Sequence, residues 1–393
     1  MSIEATRRAW VEVDPAALGR NGRTLVARLR PGCRLLPMIK ADGYGLGAER
    51  AMRALEPLDP WGFGVATVEE GVALRRSGWL GRVIVFTPCA PMDAAAMVRE
   101  RLEPVVTEIA ALKVYGEAAA ATARTLSLHL EIDTGMGRSG PAWNRAGSWA
   151  RELRAALAEL PLELASTFTH FHSAAEDEDA TREQWRRYRD ALVELKRAGI
   201  ERVPSHACNS AAILRFSEMH ADVVRPGIFL YGGRCGGARP EPVAAVRARV
   251  LCVSRAGEGT TVSYGATYRT PGPARLATLA IGYADGLRRE LSNRGYAILR
   301  GRRAPIRGDV CMDSIVVDVT GIDGVRSGDV ATILGRDGAE EIGLEEMARW
   351  CETIDYEILT GWSSRLPRIE APVGENGTAS ADEGRGSSGV PRG

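Results

Sequence analysis

LLPMIKADGYGLGAERAMRAL, residues 35–55, joins an apolar run to a helical pattern through a glycine-rich turn. The run ends at Lys40, and the turn is Ala41-Asp42-Gly43-Tyr44-Gly45-Leu46-Gly47. Strand alternation puts Met38 and Lys40 on one face and Leu35, Pro37 and Ile39 on the other. The glycines stand at 43, 45 and 47, so the Gly-x-Gly-x-x-Gly fingerprint of an open dinucleotide-binding sheet is absent.

The same strand-then-helix grammar repeats. Short apolar runs occupy 33–39, 61–65, 82–86, 102–106, 127–132, 164–171, 203–207 and 222–225. Amphipathic segments such as 46–55, 68–76, 143–160 and 181–198 lie between them. Eight such repeats predict a TIM-type (β/α)8 barrel over residues 1–240. Beyond it, AVRARVLCVS, TTVSYG, ARLATLAIGY, YAILRG, SIVVDVT and DVATILG are β-branched runs separated by Gly, Pro or Asp. They predict a mainly antiparallel β domain over 241–371, interrupted by a helix at 344–352. The early segment WVEVDP, whose strand spans 10–13, alternates as well and can join that domain. Residues 372–393, rich in Gly, Ser and charge, predict a disordered tail.

Composition narrows the function. Among 393 residues, 51 Lys and Arg face 50 Asp and Glu, a net charge of +1 that calls for neither nucleic acid nor an anionic membrane. No apolar run approaches the ~20 residues of a membrane span, and the start lacks a signal-peptide core. Seven scattered cysteines without a Cys-x-x-Cys point to a reducing, cytoplasmic setting.

Barrels carry their chemistry where strands end, and Lys40 has that address. The bland reading is a lysine snorkelling at a strand end. The functional one is an amine partly stripped of water and able to attack an aldehyde. The phosphate address of such barrels follows strands seven and eight. There stand Asn209-Ser210, a helix start, and VRPGIFLYGG, where Gly227 permits close backbone approach. A phosphate-bearing aldehyde cofactor fits both. THFH at 169–172 places His170 and His172 on one strand face, a metal pair or a ring stacked on a flat cofactor. The remaining histidines, 129, 206 and 220, add no ligand pair of helical or hairpin spacing, so no metal is assigned.

MIKADGYGLGA, EIDTGMGRSG, THFH, HACNSAAILRF, RPGIFLYG, VSYGATYRT, GDVCMDSIVVDVT and YEILTGWSSRLPRI follow one another in the order of the alanine racemase motifs. From about residue 8 to 370 the chain resembles that family of pyridoxal 5'-phosphate enzymes, built from a barrel and a carboxy-terminal β domain. The resemblance implies interconversion of L- and D-alanine, which supplies D-alanine for peptidoglycan. It implies that Lys40 holds the cofactor as an imine, and that Tyr44, Tyr356, Ser210, Gly227 and Ile228 bind its phosphate. By the same resemblance His170 stacks on the ring and Arg225 faces the pyridine nitrogen. Arg138 and Met312 hold the substrate. Lys40 and Tyr264 are the two bases, Tyr264 entering from the partner of a homodimer.

The chain departs from the family in three places. Glu131 stands where a carbamylated lysine is common, seven residues before Arg138. Asp42 and Leu46 replace a frequent asparagine and histidine. In run 127–132, alternation sends Leu128, Leu130 and Ile132 toward the helices and His129, Glu131 and Asp133 inward. Glu131 is thereby expected to support Arg138 as a permanent anion; the bland alternative is that it pairs with another interior polar group and does not meet Arg138. The alternatives are a broad-specificity racemase, acting for example on serine, a barrel-type decarboxylase, a metal-dependent hydrolase and a non-catalytic cofactor-binding module. Arg225 argues against the decarboxylase, and the β domain with Tyr264 argues against the module.

Overall fold

A computed structural model describes residues 7–88 and 90–371. The expected tail at 372–393 lies outside these residues. Eight parallel strands follow the eight apolar runs: Arg34–Leu35, Phe63–Val65, Val83–Val85, Glu103–Val106, Leu126–Glu131, Leu162–Phe168, Ser205–His206 and Val223–Val224. Each pairs with its sequence neighbour from Phe63–Val65 onward, and the last pairs with the first. A parallel bridge between Met38 and Gly64 closes the ring, flanked by hydrogen bonds from Ile39 N to Gly64 O and from Gly64 N to Pro37 O.

The barrel has two cores. Leu36, Ile84, Val105, Phe168 and Val223 form an apolar cluster apart from the larger one, packed with Trp61 and Phe86. Strand alternation places this set inside the barrel. The larger cluster takes the opposite strand faces, Leu35, Val83, Val85, Leu128 and Leu130 among them, and lies against the helices. Each helix turns an apolar stripe to it, as in Glu178–Arg197, which buries Gln184, Tyr188, Ala191 and Leu195 on one side. His129 and Glu131 are buried in the register expected of them. Asp133 departs from it: past the strand end, its Oδ1 accepts from the Gly135 and Gly137 N–H groups and shapes the loop that carries Arg138.

The β domain is organised on the long strand Ala244–Ala256. It pairs antiparallel with Ala9–Val13, Ala274–Leu279 and Val330–Asp337. Arg368–Glu370 runs parallel to Ala9–Val13. The segment before the barrel and the end of the described chain therefore meet in one sheet. Helices Leu344–Trp350 and Asp355–Thr360 return the chain to the barrel mouth.

Candidate active site

Lys40 opens a turn of unusual hand. Ala41, Asp42, Gly43 and Tyr44 all have positive φ, between 51° and 61°, and Gly45 follows at 82°. Glycines alone do not make this bend, since three of its residues carry a Cβ. Left-handed backbone costs such residues about 1–2 kcal/mol each, so the turn must be held. Glu70 holds it from the neighbouring strand–helix unit. One carboxylate oxygen accepts from Ala41 N at 2.7 Å and the other from Ala66 N at 2.7 Å. Arg368 donates to Gly45 O at 2.9 Å from the far end of the chain. A Cβ on Gly45 would press on Leu359 O at 2.6 Å, so the turn and helix Asp355–Thr360 are in close backbone contact.

The Lys40 side chain remains accessible, yet its pKa lies below the usual lysine value. Desolvation is the main cause, followed by the Arg138 charge, while Glu70 opposes the shift. Both causes favour the neutral amine, the form that attacks a carbonyl.

A seat for an anion lies beside it. Tyr44 stacks on Tyr231 with ring centroids 4.4 Å apart and stands 6.1 Å from the Tyr356 ring. A Cβ on Gly227 would collide with Tyr44 Oη, so only glycine allows that hydroxyl its position. Ser210 Oγ accepts from Gly227 N at 2.8 Å. Asn209 caps the short helix Ser210–Arg215 by accepting from Ala212 N, as expected of that pair. Among the described residues Ile228 N, at the start of the turn Ile228–Tyr231, has no hydrogen-bond partner.

Arg225 is buried beneath this seat. It donates to His206 Nδ1 at 2.7 Å, Thr169 O at 2.8 Å, Ala207 O at 3.1 Å and His170 Nδ1 at 3.3 Å. Its Nε has no partner among the described residues. Burial lowers the Arg225 pKa to about 10, so the guanidinium is charged at neutral pH. Burial, then the Arg225, Arg138 and Lys40 charges, push His170 down to about 3, so its ring is neutral.

The two histidines of THFH do not share a face. The strand ends at Phe168, and the loop beyond it turns His172 outward, where Nδ1 meets Ser173 Oγ at 2.7 Å. Gln184 fixes the loop by donating to His170 O and accepting from His172 N. Among the described residues no cluster of His, Cys, Asp and Glu is fit to hold a metal ion.

Tyr264 and Met312 form a second group, on the β domain. The hairpin Thr261–Val262/Tyr268–Arg269 carries Tyr264 at its tip. Ser263 Oγ donates to Asp309 O at 2.6 Å and lies 3.2 Å from Cys311 Sγ, which docks the hairpin on the loop of Met312. Both side chains face solvent, Tyr264 with 74% of its surface accessible and Met312 with 51%.

Known proteins share this architecture throughout. Models of the alanine racemase N-terminal and C-terminal domains match residues 13–235 and 243–370. The alanine racemase of Desulfosudis oleivorans is 38% identical across 95% of this chain and 98% of that protein. The chain belongs to the alanine racemase family. The enzyme of Symbiobacterium thermophilum is 39% identical across 94% of this chain and 98% of its own. The crystal structure of alanine racemase from the D-cycloserine producer Streptomyces lavendulae superposes with a TM-score of 0.88. Its identity is 32%, across 93% of this chain and 97% of that one. The structure from Bartonella henselae, with covalently bound pyridoxal phosphate, gives 0.84 at 27% identity, across 93% and 100% of the two chains.

The departures from the family motifs have local explanations. Asp42 Oδ1 accepts from Ala48 N at 2.8 Å, so a carboxylate caps helix Ala48–Leu55. Leu46 is buried in the main core. Glu131 lies 4.0 Å from Arg138 Nη2, an ion pair without a hydrogen bond, and accepts instead from Ser139 Oγ at 2.7 Å. Burial raises its pKa, against the pull of Ser139 and Arg138.

Glu70 escaped the reading of the sequence, although Thr67-Val68-Glu69-Glu70 is a capping box and the box forms. That signal announces a helix start and says nothing of a carboxylate reaching across to Lys40. His206 and Ser166 were missed because their partners are set by barrel closure.

Proposed function

We propose that this chain is a pyridoxal 5'-phosphate-dependent racemase that interconverts L- and D-alanine. The observation that carries the reading is the convergence on one barrel mouth of a partly desolvated Lys40, an anion seat and a buried guanidinium with a free Nε. The residues present fit the cofactor on structural grounds. The unpartnered Ile228 N–H, Ser210, Tyr44 and Tyr356 suit a phosphate. The Arg225 Nε suits the lone pair of a pyridine nitrogen, and His170 offers a neutral ring beside it.

When bound, the cofactor withdraws electrons from the substrate Cα and so acidifies its proton. Lys40 anchors the cofactor and serves as base on one face. Tyr264 of a second copy serves the other, because in its own chain it faces solvent with Met312. Arg138 holds the substrate carboxylate, with Glu131 as the nearby anion. Arg225 cannot give up its proton at neutral pH, so it donates to the pyridine nitrogen without protonating it. The active unit is thus a homodimer with shared sites, and its product fits supply of D-alanine for peptidoglycan in the cytoplasm.

Purified protein loaded with pyridoxal phosphate is incubated with single L-amino acids and the enantiomers are separated. D-alanine should form, and borohydride should fix the cofactor on Lys40. No D-alanine from a loaded protein overturns the reading. Equal rates with serine and alanine would make it a broad-specificity racemase.

A further inference from the structure

A chain of polar side chains runs down the inside of the barrel from Arg225. Arg225 Nη1 meets His206 Nδ1 at 2.7 Å, and His206 Nε2 meets Ser166 Oγ at 2.9 Å. Ser166 Oγ meets His129 Nδ1 at 2.6 Å, and His129 Nε2 meets Glu103 Oε2 at 2.7 Å. Arg82 Nε lies 2.7 Å from the same Glu103 oxygen as an ion pair, off the line of a good hydrogen bond. Arg225, His206, Ser166 and His129 are buried, and Glu103 and Arg82 open toward solvent at the far end. Trp61 lies edge-on to both histidines and beneath Arg82, closing the side of the chain.

Both ends of this chain are fixed. A guanidinium only donates, so His206 Nδ1 must accept, and the His206 proton sits on Nε2. That proton goes to Ser166 Oγ, whose own proton then goes to His129 Nδ1. The His129 proton is left on Nε2 and goes to Glu103, which as a carboxylate only accepts. The reverse direction would end with the His206 Nδ1–H against a guanidinium N–H at 2.7 Å. Only one arrangement of protons satisfies every group, and it points from Arg225 to Glu103.

We propose that Ser166, His129 and Glu103 are positioning residues for Arg225, holding its guanidinium at the floor of the cofactor seat through this one-way chain, with His206 and His129 fixed as neutral Nε2–H tautomers. The inference rests on the functional reading above only for the task of Arg225. The chain itself is a property of the folded protein. A barrel interior is ordinarily filled by branched apolar side chains. Burying hydroxyl and imidazole groups there is tolerable only when each is satisfied, and a satisfied network fixes one geometry. The distal carboxylate adds a negative charge below two imidazoles, which draws their N–H dipoles downward and turns their lone pairs toward Arg225.

The first test needs no cofactor. In protein labelled with 15N-histidine, two-bond nitrogen–proton correlations should show His206 and His129 neutral with the proton on Nε2. The pattern should persist over roughly pH 5–8, where free histidine titrates. A proton on Nδ1 of either ring, or titration of either in that range, overturns the proposal. In Ser166→Ala the link is cut: His206 should keep its proton on Nε2, because Arg225 still donates to Nδ1, but that N–H loses its acceptor, so the His206 Nε2 resonance should shift and the Arg225 guanidinium signals should broaden. Arg225 signals as sharp as in the wild type, in a folded variant, also overturn the proposal.

The second test uses the loaded enzyme. Glu103→Gln keeps an acceptor for His129 but removes the charge. The ratio of pyruvate formed, with the amino group left on the cofactor, to alanine racemised should rise roughly two- to threefold, as a weakened rather than broken Arg225–His206 hydrogen bond implies, with KM for alanine little changed. Glu103→Asp should restore part of the ratio. A parallel loss of kcat and stability with an unaltered ratio would mean a merely structural role and sink the proposal. If the protein neither binds pyridoxal phosphate nor racemises alanine, the functional reading falls, while the tautomer measurement still decides the chain.

Discussion

Glu70→Gln should loosen the turn that presents Lys40. The left-handed residues Ala41, Asp42 and Tyr44 together carry strain of roughly 3–6 kcal/mol. Glu70 opposes it by giving one oxygen to Ala41 N and the other to Ala66 N. Glutamine has a single acceptor oxygen, so one of these N–H groups would face an NH2 group. Hydrogen bonds to a charged group contribute about 1.5–3 kcal/mol each. Partial exposure of this one places the expected loss at ~1–2 kcal/mol. The variant should unfold at lower urea concentration and take up pyridoxal phosphate more slowly. Loss of the Glu70 charge also removes the influence that holds the Lys40 pKa up against burial. The pH midpoint for cofactor attachment should therefore move down. Ala41→Gly is the counterpart. It relieves ~1–2 kcal/mol of strain and gives back ~0.4–1 kcal/mol through the freer unfolded chain. Added to Glu70→Gln it should recover part of the lost stability. An unchanged urea midpoint in Glu70→Gln, or a destabilising Ala41→Gly, would refute the account of a braced, strained turn.

Tyr264→Phe should slow proton removal from one enantiomer of alanine far more than from the other, read as deuterium wash-in from each; equal loss in both directions counts against two bases. Mixing inactive Lys40→Ala with inactive Tyr264→Phe should regain activity, because one hybrid site receives both native residues; no regain after proven subunit exchange contradicts shared sites. Gly227→Ala should drive Tyr44 Oη from its place and weaken pyridoxal phosphate binding at least tenfold, which fluorescence titration would measure; an unchanged Kd would clear that contact of any role. Wild-type activity should be indifferent to bicarbonate, and Glu131→Gln should raise KM for alanine. The same change should stabilise the fold at neutral pH. Burial raises the Glu131 pKa above the usual carboxylate value, so the native state holds its proton longer than the unfolded chain. Stability attributable to Glu131 is then lost as pH rises through the raised value. Wild type should fall relative to Glu131→Gln across that window, and parallel pH–stability curves would show the carboxylate to be fully compensated.

The barrel was legible because its strands are short apolar runs at regular spacing, and the positions of Lys40, Ser210 and Arg225 follow from that count. The β domain was legible from β-branched alternation and turn residues. Three features were not. The hand of the turn at Ala41–Tyr44 was hidden because Ala and Asp carry no left-handed signal; tertiary braces impose it. The outward turn of His172 depends on Gln184, twelve residues away on a helix whose rotation the periodicity does not fix. Strand alternation turned His129 and Glu131 inward as expected, but not what they meet there. Glu131 finds Ser139 more closely than Arg138, since the loop carrying both is shaped by Asp133 and its two glycine N–H groups.

The β domain presents one group to its own barrel and another to solvent. Toward its own barrel it sends helix Asp355–Thr360, which brings Tyr356 beside Tyr44 and presses Leu359 against the turn at Gly45. Arg368 ties the same turn to Ser363, Leu366 and Trp362 carbonyls. To solvent it exposes Tyr264 and Met312 on a docked hairpin and loop. On the shared-site reading proposed above, a monomer has the seat for the phosphate and the anchoring lysine but one base. Cofactor binding would then require both domains of one chain, and racemisation a neighbour. Such a separation would account for a turn at Lys40 that is braced from within the chain. A strained turn that depended on the partner for its geometry would relax whenever the subunits parted, and the cofactor would be lost with it.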